Sequence, residues 1–101
     1  MQADLAEARK LYERHLKRRF PKNYGGAEIG DVDLVLLGAD IAGCLSVYFG
    51  SRGKLDQERI RILRTRRAEL HKIVPLLIGE ARDYFTELER AADAVAQDMK
   101  A

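Results

Sequence analysis

The chain holds a single cysteine, Cys44, in 101 residues, which excludes an intrachain disulfide and suits a reducing cytosol. Its first residues, Met-Gln-Ala-Asp-Leu-Ala-Glu, place acids where a secretory leader carries basic residues ahead of an apolar run. Long apolar runs are missing too. The most apolar stretch, 34–49, has 16 residues with Asp40 inside it, too short and too polar for a membrane span. The expectation is a cytoplasmic protein with no membrane association. Nothing is Pro/Ser-rich, repetitive or low in complexity, so residues 1–101 read as one all-helical domain with a small core.

Chemical signatures are equally scarce. His15 and His71 are the only histidines, and neither sits at a ligand spacing such as His-x3-His or Glu-x-x-His, so no metal site is expected. Cys44, Ser46 and His71 lack the flanking motif of a nucleophile and its base, and Cys44 reads as a small core residue. The glycine-containing segment 21–31 lacks the Lys-Ser/Thr ending of a phosphate loop. Paired carboxylates, an oxyanion hole and a cofactor signature are likewise absent from the pattern. The sequence therefore reads as non-enzymatic, with no cofactor.

What it does contain is helical periodicity. Leu63, Leu70, Leu77, Tyr84 and Ala91 form one row of a seven-residue repeat, and Ile60, Val74, Ala81, Leu88 and Val95 form its companion. Phe85, Ile73, Ile78 and Ala92 widen the seam. The repeat keeps phase across Pro75, whose neighbours are all apolar. The expectation is thus one long helix over 55–98, kinked at Pro75 and loosened at Gly79. The alternative is a break near Pro75, which gives a compact four-helix bundle. A continuous helix of this length spans roughly 66 Å, more than one small chain can cover.

Two further helices precede it. Residues 4–20 form the first, with Asp4 and Glu7 as a capping box and Pro21 ending it. Leu5, Ala8, Tyr12, Leu16 and Phe20 mark its apolar face, and the other face carries Arg9, Lys10, Arg14, Lys17, Arg18 and Arg19. Residues 21–31 form a loop in which Tyr24 beside Gly25-Gly26 stands out. The second helix, 32–49, is capped by Asp31 and is apolar nearly all round, so it is expected to be the most buried element.

Charge is unevenly spread. Residues 51–75 hold eight Lys/Arg against three acids, and residues 76–101 hold three against six. The first helix could cover the distal half of the long one, its basic face meeting Glu80, Asp83, Glu87 and Glu89. Otherwise a second copy covers that half, through a dimer seam of Leu77, Ile78, Ala81, Tyr84, Phe85 and Leu88. Asp40, a carboxylate in the most apolar helix, is expected to form a buried or half-buried ion pair with Arg64 or Arg67. The leading functional expectation is a small regulatory protein, dimeric with itself, that binds another protein. The alternatives are nucleic-acid binding through Arg14, Lys17, Arg18, Arg61, Arg64 and Arg67, and a small-molecule pocket around Asp40.

Overall fold

The computed structural model describes residues 5–21 and 28–100, the side chain of Lys100 excepted. Four α-helices follow one another: α1 over Leu5–Lys17, α2 over Leu34–Gly50, α3 over Gln57–Ile73 and α4 over Gly79–Lys100. A single 3-10 turn, Val74–Leu76, joins α3 to α4, and a two-stranded antiparallel ribbon, β1 (Glu28–Ile29) and β2 (Val32–Asp33), leads into α2. The capping box on Asp4, and Tyr24 with Gly25-Gly26, lie outside the described residues.

The continuous 55–98 helix is not what the chain forms. It breaks at Pro75, and the longest dimension of the fold is 36 Å, about half of what an unbroken helix would need. Two local causes act together. Pro75 lacks an N–H and crowds the preceding turn, which leaves a 3-10 turn closed by the Leu77 amide on the Val74 carbonyl at 3.1 Å. Leu77 is then extended at φ −92°, ψ 157°, and Gly79 takes φ +60°, a left-handed conformation open to glycine. The chain reverses, and α4 runs back along α3. Both halves of the repeat face one core, so an unbroken phase is compatible with a hairpin.

The uneven charge is the signature of that hairpin. Basic α3 and acidic α4 lie side by side, with the Arg67 guanidinium donating to Asp93 at 2.8 and 3.0 Å. His71 Nε2 lies 2.9 Å from the same carboxylate. The other outer helix, α1, lies along α4 and covers it with Ala8, Leu11, Tyr12 and His15. Its register puts Leu16 outside, one position away from the expected apolar face. Phe85 fills the centre, and Gly38 of α2 brings its backbone close enough that an added Cβ would rest 3.6 Å from the Phe85 ring.

Five of the six residues expected in a dimer seam are therefore occupied within the chain. Leu77, Ala81, Phe85 and Leu88 are fully buried and Tyr84 is half-buried against Phe20 and His15; Ile78 alone is exposed.

The remaining boundaries also have local causes. Asp33 rather than Asp31 caps α2, its carboxylate accepting from the amides of Val35 at 2.8 Å and Leu36 at 3.1 Å, since Asp31 is in the ribbon turn after Gly30. At the far end, the Ser51 and Gly53 amides return to the carbonyls of Val47 and Tyr48, and Arg52 and Gly53 both take positive φ. The Tyr48 hydroxyl donates to Asp98, tying the last turn of α4 to the end of α2.

Replacing Gly79 with Ala discriminates the two chain paths by sign. In a left-handed turn the Cβ costs about 1 kcal/mol, whereas inside a continuous helix the same change gains about 1 kcal/mol. Denaturant unfolding is expected to show Gly79→Ala less stable than the parent chain; a gain would mean the helix runs through.

Candidate interaction surfaces

The charged residues are used largely between helices. Glu87 of α4 accepts from two arginines, Arg14 of α1 at 2.7 Å and Arg18 just past its end at 2.6 Å. Arg90 reaches Glu7 at 3.1 Å, so α1 and α4 are joined at two levels. Between α2 and α3, Asp40 pairs with Arg66 at 2.8 Å, and Arg66 also holds Glu69 at 2.9 Å. Asp40 thus pairs with neither Arg64 nor Arg67. Both expected partners lie near Arg66 along α3 but point elsewhere, because one residue turns a helix by about 100° and two by about 200°. The pair is half-buried, as the expectation allowed, and an open depression beside it is lined by Arg61, Ile62 and Thr65.

The six arginines and lysines expected to hold nucleic acid are not brought to one face. Arg14 and Arg18 serve Glu87, and Arg67 serves Asp93. Lys17 is exposed on α1, whereas Arg61 and Arg64 are exposed on α3, one turn apart, beside a groove that also includes Glu58. Among the described residues, no group of three His, Cys, Asp or Glu side chains is arranged to hold a metal ion. No helix among them is long and apolar enough to cross a membrane.

Two titratable groups are enclosed instead. His15 is buried against the Tyr84 ring at a centroid distance of 4.3 Å, and its Nδ1 finds no hydrogen-bond partner among the described residues. Burial holds its pKa below the ordinary imidazole value, with Arg18 adding to that and Glu87 opposing it. The Cys44 thiol faces the Arg59 carbonyl at 3.6 Å and is pushed up by burial.

Apart from Leu5 at the start of α1, large apolar side chains are exposed in two places that periodicity did not reveal. The first is α2: with seven buried residues in 17 it is the most buried helix, as expected, yet one of its faces is open. Val35 is 42% and Leu36 53% exposed, and Ala39, Gly43 and Ser46 continue the same outward face. Leu16 of α1, 58% exposed, stands beside it. The second is the turn between α3 and α4, where Leu76 is 66% and Ile78 75% exposed on either side of buried Leu77. The signal available in the sequence was the row of small residues on α2, opposite Leu34, Leu37, Ile41, Leu45 and Tyr48.

No family model matches the chain, and no curated protein or solved structure matches it.

Two outcomes follow from these environments. Asp40→Asn should cost less than about 1 kcal/mol in denaturant unfolding, as befits a solvent-screened pair; a loss several times larger would make the pair the fixer of helix register. For His15, the folded chain resists the proton that the unfolded chain accepts as pH falls through about 6.5. Stability contributed by neutral His15 is therefore present above that pH and lost below it. Between pH 7 and 5 the parent chain should lose more thermal stability than His15→Phe, and equal losses would show that folding leaves this imidazole unperturbed.

Proposed function

We propose that this chain is a non-enzymatic helical interaction protein that acts as a homodimer and holds a second protein by apolar contact. The observation that carries the reading is where apolar surface remains once the core is complete. Single exposed hydrophobes are ordinary, but here they gather on one helix face and on one turn. The turn, Pro75-Leu76-Leu77-Ile78, projects two large aliphatic side chains from a backbone fixed by a proline and by the buried Leu77. A rigid projection of that kind loses little conformational freedom on docking. Most buried or half-buried carboxylates are already satisfied by arginines, which supports contact surfaces over proton-transfer chemistry.

A second reading, nucleic-acid binding, is favoured by one observation only: Arg61 and Arg64 are exposed, adjacent on α3, and without an ion pair among the described residues. Their separation from Lys17, and Glu58 beside them, weigh against a continuous phosphate-binding stripe.

Absolute mass in solution, taken at low and high salt with and without a mixed-sequence DNA duplex, tests both readings. The expected result is twice 11.4 kDa at either salt and no duplex bound at physiological salt. A monomer throughout would remove the homodimer. Duplex binding that falls steeply with salt would replace the first reading by the second. For the partner, a photo-crosslinking residue at Ile78 should give heavier adducts in the cells of origin and one at Glu58 should not; the reverse would move the contact to the basic face.

A further inference from the structure

We infer that a second copy of this chain docks on the outward face of α2, the two helices crossing antiparallel about a two-fold axis near Ala39 and Gly43. The inference rests on the homodimer reading and adds the surface and the arrangement. Over its 17 residues α2 carries one charged side chain, Asp40, which is turned aside to Arg66. Its buried residues occupy one side, and Val35, Leu36, Ala39, Gly43 and Ser46 recur at helical spacing on the other. The middle of that face is small, which lets a second helix axis approach, and its start bears the two aliphatic projections Val35 and Leu36.

A two-fold contact must be self-complementary, so a projection and its recess have to share one face. They do. Beside the small residues runs a shallow groove of about 250 Å³, walled by Leu16 of α1, by Arg18 and Phe20 just past its end, and by Val35, Ala39 and Ala42 of α2. Antiparallel crossing about that axis brings the partner's Val35 and Leu36 level with Val47 and Ser46, onto the far half of the same stripe, where the outward residues are small.

Charge selects the direction. The ribbon that leads into α2 exposes Glu28 and Asp31, whereas the turn that leaves it exposes Arg52 and Lys54. Between them the outward face takes no charge from α2, and Arg18 at the edge of the groove is held by Glu87. Antiparallel copies set the acidic end of one against the basic end of the other, and they oppose the helix dipoles as well. Parallel copies would set acid on acid and base on base. The helix is about 26 Å long, and an axis near its middle brings both ends into register at once. A second copy satisfies this pattern twice, with one surface.

Sedimentation equilibrium over a concentration series, with circular dichroism to verify the fold, tests this on the full chain. Ala39→Glu puts two carboxylates at the axis and should weaken the dimer by at least about a hundredfold with its helix content intact. Gly43→Arg, whose side chain would enter open space in the monomer, should do the same and stands in if the first variant misfolds. Lys54→Glu should weaken the dimer by about threefold to tenfold, and Lys54→Glu with Asp31→Lys should restore it. A dimer that tolerates both axis variants overturns the α2 interface and leaves the homodimer reading standing. Loss at the axis without rescue at the ends overturns the antiparallel arrangement. A parent chain that is monomeric up to hundreds of micromolar ends the homodimer reading and this inference with it.

Discussion

The reversal between α3 and α4 is the constraint on which the other contacts depend. A missing amide at Pro75 stops the hydrogen-bond ladder, and a left-handed Gly79 sends the chain back. Only after that reversal does the acidic half lie along the basic half. Phe85 and Leu88 then meet Leu37 and Ile41 in one core, and Glu87 becomes the anchor for α1. Without it the same residues would make a rod with one bare side.

The helical class was legible from periodicity, and packing of α1 over the acidic half was one of the two covers that the charge pattern left open. The reversal was harder to read. Turn chemistry was sought beside Pro75, where the neighbours are apolar, but the enabling residue lies four positions on. Leu77 is apolar because it returns to the core from within the turn. The better clue was electrostatic: eight basic residues against three acids in one segment, then three against six in the next, describe two antiparallel neighbours more naturally than one polarised rod.

The surfaces were less legible still, because helical pattern gives a residue's level more readily than its direction. Asp40 found Arg66, two residues from one expected partner and one from the other. Helix α2 reads as the most buried element because apolar and small residues surround it, and it is that, but only on the side that meets the other helices; the opposite side is open. Arg14, Arg18 and Arg67 looked like phosphate ligands until the fold placed a carboxylate opposite each.

Cys44 has a consequence beyond packing. The chain's sole thiol is 3% exposed, lies at the heart of the least charged helix, and is held protonated by its surroundings. Thiolate is the reactive form, so the closed protein shelters it from alkylating agents and oxidants on two counts. Labelling at this one sulfur therefore measures how often the bundle opens, and the native molecule is in effect its own clock for breathing motions.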